Sequence, residues 1–285
     1  MIQEIIRIFR NQALRQDFLC VLLMAIICIP TVLFFHVRYF TSTLLFFGVP
    51  AVYLFIRKPI QPKKLIAALC GAMMLLFIVD FLAEINGAWS WAPTGQLIFI
   101  NKIFGLIPID VLIWYFFWVL FSIIFYEHFF EVERPDKVSP LFKYFIVFFS
   151  GVIVLLISIF YINPHLLLFP YAYFFIGLFG SLPFFYLIFI KPSLVKHLLQ
   201  ASVFNLFLYL SFELTALYLD QWRFPGQYIG HVKLFNQVFP VEELVFWILL
   251  GTPIMLAYYK IFIDLEIKSG EPIHKSELRK YFYTE

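Results

Sequence analysis

Charged residues are scarce in this sequence, and that scarcity limits the class of protein it can encode. Asp, Glu, Lys and Arg make up 14% of the 285 residues, against about a quarter in a typical soluble domain, whereas 62% are hydrophobic. One water-soluble core of this length cannot bury so much apolar surface, so lipid must surround most of the chain. The apolar runs are long and lack the alternation of barrel strands. The sequence therefore predicts an all-α integral membrane protein.

Several functional motifs are also missing. The three cysteines, Cys20, Cys28 and Cys70, fall in apolar segments without the spacing of a disulfide framework or metal site. The six His residues are scattered and form no metal-binding pattern. Neither a G-x-G-x-x-G motif nor a P-loop is present. We therefore expect no metal and no cofactor, and membrane topology accounts for the basic loops without any nucleic acid.

Eight apolar segments have close to the roughly 20 residues needed to cross a bilayer. They cover residues 18–36, 40–56, 65–85, 104–126, 143–162, 166–190, 197–219 and 238–263. The first follows Arg7, Arg10 and Arg15, but it is long for a signal peptide and lacks a small-residue cleavage site. We interpret it as a retained membrane span.

The distribution of positive charge supports eight spans. An even number places both termini on one side, and 17 of the 21 Lys and Arg residues then lie on that side. The remaining four are Arg38, Lys102, Arg223 and Lys233. Since cytoplasmic loops carry the excess of Lys and Arg, this asymmetry predicts a multi-pass protein of the cell (inner) membrane with cytoplasmic termini.

An internal repeat divides the spans into two halves of four. In the first half, Glu84 precedes the sequence Trp91-Ala92-Pro93-Thr94-Gly95-Gln96, and Pro108-Ile109-Asp110 follows. In the second half, Glu213 precedes Trp222-Arg223-Phe224-Pro225-Gly226-Gln227, and Pro240-Val241-Glu242-Glu243 follows. We predict repeats at 1–130 and 143–265, a cytoplasmic linker at 131–142 and a cytoplasmic tail at 266–285. Four spans per half give both halves the same orientation and place a cavity between them.

Few ionisable residues lie inside the spans, and those away from the span ends are all acidic. They lie towards the outer ends of the third or fourth helix of a half: Asp80, Glu84, Asp110, Glu213, Glu242 and Glu243. No Lys, Arg or His lies at their depth, so removal from water favours the protonated acid. Two simpler interpretations stay open. Glu242 and Glu243 would complement a helix dipole in a first turn, and Asp80 would face a polar neighbour.

Aromatic residues make up 21% of the chain, including 39 Phe. Most are expected to pack against lipid or between helices, and Trp89, Trp91 and Trp222 fall at an interface where aromatic belts are common. The alternative is that some of these ring faces line a cavity and stabilise a cation.

The motif of Glu213, W-x-x-x-G-Q and P-V-E-E-L-V-F-W resembles the lycopene cyclase domain, a small membrane module that occurs in heterodimeric or fused pairs. The resemblance extends over most of both halves, and the tandem repeat matches the paired use of such domains. The first half departs from the pattern, because Val111 follows Asp110 where a second acid is expected. The second half is therefore expected to dominate any activity.

This resemblance implies redox-neutral cyclisation of a carotenoid end group. A buried acid protonates the terminal alkene, an internal double bond attacks the tertiary cation, and a base removes a neighbouring proton. Glu242 or Glu243 is the expected proton donor and Glu213 its partner or base, with Glu84 and Asp110 as first-half counterparts. The expected substrate-binding residues belong to the motifs that carry the resemblance: Trp222, Phe246, Trp91, Gln227 and Gln96. The expected partners are a hydrophobic isoprenoid or carotenoid substrate, the lipid bilayer and a homo- or hetero-oligomeric subunit.

Three other interpretations stay open. Glu242-Glu243 also resembles the E-E-x-x-x-R start of intramembrane prenyl-protein proteases, but Trp247 replaces the Arg and the later His residues are missing. A carotenoid- or lipid-binding membrane protein and a proton-coupled transporter are the non-enzymatic alternatives. A transporter needs a polar path to both sides, and the cytoplasmic halves of the spans offer few polar residues. Glu127, His128 and Glu131 are interpreted as a solvated helix end in preference to a metal site.

Overall fold

The computed structural model describes residues 8–91, 97–99, 101–131 and 138–264, and these form a helical bundle. Within these described residues, seven helices are each long and apolar enough to cross a membrane: α1 (Gln12–Phe35), α2 (Tyr39–Arg57), α3 (Pro62–Ile85), α4 (Ile109–Phe129), α5 (Phe142–Ile162), α6 (Ala172–Ile190) and α7 (Pro192–Tyr218). Two shorter helices, α8 (Glu243–Leu249) and α9 (Gly251–Ile263), meet at a 54° bend and together are long and apolar enough for one more crossing. The all-α class of membrane-spanning architecture agrees with the prediction.

The helix ends differ from the predicted bounds for local reasons. Helix α1 begins earlier than residue 18, because Asn11 caps it by accepting hydrogen bonds from the backbone N–H groups of Ala13 at 3.0 Å and Leu14 at 3.2 Å. Helix α6 begins later than residue 166, because Pro164–Leu167 forms a separate 3₁₀ turn. Helices α4 and α8 also begin late, since the residues before them pair as short β-strands.

In the part of the chain that the structure describes, six short strands lie at one end of the bundle, which we call the hairpin end. Their bounds are β1 (Ser90–Trp91), β2 (Lys102–Ile103), β3 (Ile107–Pro108), β4 (Trp222–Arg223), β5 (His231–Leu234) and β6 (Gln237–Pro240). Strands β2 and β3 form a hairpin before α4, and β5 and β6 form a hairpin before α8. Strand β1 pairs antiparallel with β4, with Ser90 opposite Arg223 and Trp91 opposite Trp222. The two loop regions therefore join directly through their backbones.

Helices α3 and α7 end in the same way. After α3, the N–H groups of Asn86, Gly87 and Ala88 donate to residues four, three and five positions earlier. After α7, the N–H groups of Leu219, Asp220 and Gln221 repeat this pattern. Gly87 and Asp220 both have positive φ, at 62° and 52°, as a residue reversing the chain after a helix requires. When the two helix ends are aligned on this hydrogen-bond pattern, Asp80 corresponds to Glu213 and Trp89 corresponds to Trp222.

The opposite end of the bundle holds a network of ion pairs, most of whose side chains are buried, and we call it the ion-pair end. The Asp17 carboxylate lies 2.7 Å from Arg57 Nε and 2.9 Å from His128 Nε2. Lys64 Nζ lies 3.0 Å from Glu127 Oε1 in an almost fully buried pair, and Lys260 Nζ lies 2.6 Å from Glu131 Oε2. These contacts tie α1, α2, α3, α4 and α9 together.

Two expectations are wrong at the ion-pair end. Glu127 and His128 are 0% and 4% exposed, so they do not form a solvated face. The spans also carry more polar residues towards this end than expected, because Gln200 and Asn205 are buried on α7 and Ser122 is buried on α4. Burial of paired charges at a helix end is not visible in a hydropathy profile, because the partners come from distant parts of the chain.

Candidate functional site

A small cavity of 40 Å³, which we call the acid cavity, lies inside the hairpin end. Helices α2, α4, α6, α7 and α8 and the two loop regions contribute its walls. Two acids line it, Glu213 and Glu243, and the other lining residues are aromatic apart from one valine: Tyr39, Trp89, Trp91, Val111, Trp114, Tyr115, Tyr173, Tyr209, Trp222, Phe224 and Trp247. None of the lining residues that the structure describes is basic.

Glu213 and Glu243 come to this cavity from different helices. Glu213 lies on α7 and Glu243 is the first residue of α8, and they are 1% and 3% exposed. Glu213 Oε1 accepts a hydrogen bond of 3.0 Å from Trp222 Nε1. The Tyr173 hydroxyl donates to Glu243 Oε2, and the Tyr209 hydroxyl lies 3.5 Å from Glu243 Oε1. Both carboxyl groups are thus held by donors that do not neutralise them with a positive charge.

Aromatic rings enclose the two acids. Tyr39 packs edge-on against Trp91 and Trp222, with ring centroids 5.2 and 5.5 Å apart. Tyr173 packs against Trp89 at 5.3 Å and faces Trp247 at 5.9 Å. Ring faces carry negative charge density, so such a cage favours a cation over an anion inside it. Predicted residues Trp91 and Trp222 both line this cage.

Two further acids of the first half lie close by without lining the cavity. Glu84 Oε1 accepts a hydrogen bond of 2.7 Å from Trp91 Nε1, so it lies behind that ring. Asp80 is fully buried, and its Oδ1 accepts a hydrogen bond of 3.3 Å from Tyr115, which does line the cavity. Asp80 was not among the predicted site residues. Its position among the intramembrane acids was the available sequence signal, but its link to the cavity depends on Tyr115, which is 35 residues away.

Glu242 and Asp110 occupy a different kind of environment. Glu242 Oε1 accepts a hydrogen bond of 2.6 Å from the Ile229 backbone N–H. Asp110 accepts from the backbone N–H groups of Ile98 at 3.0 Å and Phe99 at 2.9 Å. Each acid therefore anchors the loop that precedes its own helix, a common use of a carboxylate that keeps backbone donors satisfied. Neither side chain lines the acid cavity.

The remaining predicted residues lie away from the acids. Gln227 is exposed and lines a shallow pocket at the surface of the hairpin end. Gln96 lies outside the described residues. Phe246 lines a second, larger cavity, which we call the apolar groove. The structure thus brings together Glu213, Glu243, Trp91 and Trp222 of the predicted set.

Tyr228 connects the two loop regions above the cavity. Its hydroxyl donates to the Ala88 carbonyl oxygen and accepts a hydrogen bond of 2.9 Å from the Gly226 N–H. Burial raises the pKa of this phenol above its ordinary value, which keeps it protonated as a donor. Gly226 approaches so closely that a Cβ there would lie 2.9 Å from the Gly87 carbonyl oxygen and 3.1 Å from the Ala88 Cα. This contact is a physical reason for the glycine in the W-x-x-x-G-Q motif.

Comparisons with known proteins identify no relative. No protein-family model matches the chain, and neither the curated proteins nor the solved structures contain a match. The functional argument therefore depends on the geometry of the acid cavity.

Proposed function

We propose that this chain is a carotenoid end-group cyclase of the lycopene cyclase type, working by redox-neutral acid–base chemistry inside the membrane. The observation that supports it is the pair of buried carboxyl groups, Glu213 and Glu243, in one aromatic cavity whose described lining contains no basic side chain. Cyclisation through a carbocation needs a proton donor, a proton acceptor, aromatic faces and little water. The acid cavity offers each of these.

The proposed reaction begins with proton transfer from a carboxylic acid to the terminal carbon–carbon double bond of the substrate. The resulting tertiary cation is attacked by a neighbouring double bond, which forms the new ring bond and moves the cation into the ring. A carboxylate then removes an adjacent proton and leaves a double bond. The product is an isomer of the substrate, so no oxidant, reductant or net proton is required.

We assign the donor role to Glu243 and the acceptor role to Glu213. Tyr173 donates to Oε2 of Glu243, whereas the nearest partner of Oε1 is the more distant Tyr209 hydroxyl, so Oε1 is the oxygen left to carry a transferable proton. The Trp222 N–H is a donor only, and its bond to Glu213 stabilises the ionised carboxylate. Glu242, a sequence-based candidate for the donor, is assigned a loop-anchoring role in this proposal.

The proposal includes two tandem four-helix repeats in eight spans, with cytoplasmic termini. The matching ends of α3 and α7 support a shared ancestry of the halves, as do the hairpins before α4 and α8. In this register Asp80 is the counterpart of Glu213, in place of Glu84. When the halves are instead aligned on Pro108 and Pro240, which end the two hairpins, Val111 corresponds to Glu243, and this favours a single active site that uses the second-half acids.

The direct test is expression in a bacterial host that accumulates lycopene, followed by chromatography of the extracted pigments. The wild-type chain should produce mono- or bicyclic product. Glu243→Gln and Glu213→Gln should each lower its yield by a factor of about 10² to 10⁴, the usual contribution of a general acid or base. Asp220→Asn serves as the control, because Asp220 is an exposed acid at the same end of the bundle and bonds to Arg223.

Each variant must be present in the membrane at wild-type level for the comparison to count. Normal cyclisation by both Gln variants would contradict the assigned chemistry. Lycopene that is bound by the purified wild-type protein but never converted would favour the carotenoid-binding alternative.

A further inference from the structure

The apolar groove has a volume of 390 Å³ and lies between α3, α4, α5, α6, α8 and α9. Along α3 its wall extends from Ala68 to Leu82, which corresponds to about 21 Å at 1.5 Å per helical residue. None of the lining residues that the structure describes carries a charge. The groove is therefore an elongated site for a hydrocarbon chain, without the charged groups that would hold a polar headgroup.

The groove meets the acid cavity at one residue. Trp247 lines both cavities, and its ring packs against those of Tyr173 and Trp89, with centroids 5.9 and 6.3 Å away. The bend between α8 and α9 produces this arrangement. Glu243 on α8 lines the acid cavity, whereas Gly251 on α9 lines the groove. The groove and the two carboxyl groups thus lie on either side of Trp247.

The groove also has an open side. Phe175 and Phe179 of α6 line it and are 39% and 63% exposed, so this wall faces the region where lipid surrounds the bundle. Gly177 on the same helix leaves room for the Phe246 ring, with which any Cβ would collide. At Gly180 a Cβ would meet no atom within 4 Å, so the groove is empty there.

We propose that the apolar groove binds the polyene chain of an isoprenoid substrate, which enters from the bilayer past α6 and places its end group beyond Trp247. This inference rests on the proposed function, which identifies the reacting end group of the bound polyene. A bilayer acyl chain shares the same hydrocarbon chemistry. The Trp247 wall that the groove shares with the acid cavity and the uncharged lining favour the isoprenoid.

Gly180→Leu tests the proposal, since it fills the groove without contacting the acids. Gly151→Leu is the matched control, because Gly151 is also a helical glycine with open space around its Cβ, but it lies on α5 outside the groove. Both substitutions are made in a Glu243→Gln background, so that bound substrate is not converted. The proteins are purified from the lycopene-accumulating host, and lycopene and phospholipid per protein are measured. If the Gly180→Leu protein does not fold, Gly180→Ala is used in its place, because it adds a smaller side chain at the same position.

We expect Gly180→Leu to retain about tenfold less lycopene than the Gly151→Leu control, with unchanged phospholipid. Equal lycopene in both proteins, or none in the Glu243→Gln parent, would overturn the proposal. Loss of phospholipid with lycopene unchanged would also overturn it, because the groove would then hold a bilayer lipid. If the wild type makes no cyclic product but lycopene retention depends on Gly180, the proposed function fails and the groove proposal stands.

Discussion

Glu242 and Glu243 are adjacent residues whose side chains enter different environments. Successive residues of a helix point about 100° apart, so one can face the preceding loop while the other faces the bundle. Glu242 holds the Ile229 N–H, and Glu243 contacts Tyr173 in the acid cavity. One acid contributes to loop structure, and we propose that the other transfers a proton.

This division of roles predicts different responses to substitution. Glu242→Gln keeps a side-chain oxygen that can accept from Ile229, so cyclisation should stay within about threefold of wild type. Glu242→Leu removes that acceptor and should lower the stability of the protein by about 1 kcal/mol, the usual net contribution of one hydrogen bond, because the Ile229 N–H is only partly buried. Thermal unfolding in detergent, measured beside pigment conversion, checks both effects. A Glu242→Gln protein that is stable but inactive would transfer the donor role to Glu242.

At the scale of the elements, the hairpin end depends on close contact between two loop regions. The β1–β4 pairing, the Tyr228 bridge and the approach of Gly226 to Gly87 all join the first half to the second. Trp91 and Trp222 are paired in this way, and both line the acid cavity. The geometry of the cavity therefore depends on backbone contacts outside the helices.

Gly226→Ala tests this dependence. The added Cβ would press on the Gly87 carbonyl oxygen and the Ala88 Cα, which are backbone atoms and cannot move aside as a flexible side chain would. We expect a loss of about 1–3 kcal/mol in stability together with reduced cyclisation. The thermal midpoint of Gly226→Ala is compared with that of Gly151→Ala, where the added methyl group meets open space. Equal midpoints would show that the loop contact is dispensable.

At the scale of the whole molecule, the helices alternate between the hairpin end and the ion-pair end. Gln221 of the loop after α7 donates to the Val37 carbonyl between α1 and α2, which places both connections at the hairpin end. Arg57 at the end of α2 reaches Asp17 near the start of α1 at the other end. If α8 and α9 form one crossing, both ends of the described chain lie at the ion-pair end.

Reporter insertion checks this topology. A reporter that is active only in the cytoplasm should be active after Lys58 and after Lys191, and inactive after His36 and after His165. The expectation combines the positions of these turns in the bundle with the excess of Lys and Arg at the ion-pair end. Activity in the opposite pattern would reverse the proposed orientation. Activity after both His165 and Lys191 would show that α6 does not cross the membrane.

Local features of the sequence were sufficient to predict the all-α membrane class and the approximate positions of the long helices. Hydropathy averaged over about 20 residues decides whether a segment is stable in lipid, and this average needs no knowledge of neighbouring helices. The Asn11 cap and the short hairpins were missed, because a few residues of polar or β-type structure are lost in such an average.

The composition of the acid cavity was only partly predictable. The scarcity of charge drew attention to every intramembrane acid, and this is why Glu213 and Glu243 were among the candidates. Which acids share a cavity was decided by contacts between distant residues, such as Tyr173 with Glu243 and Trp91 with Trp222. The burial of Glu127 with Lys64 has the same origin. Hydropathy and motif spacing are properties of one segment, whereas the meeting of side chains depends on how separate helices pack, and only the tertiary structure contains that information.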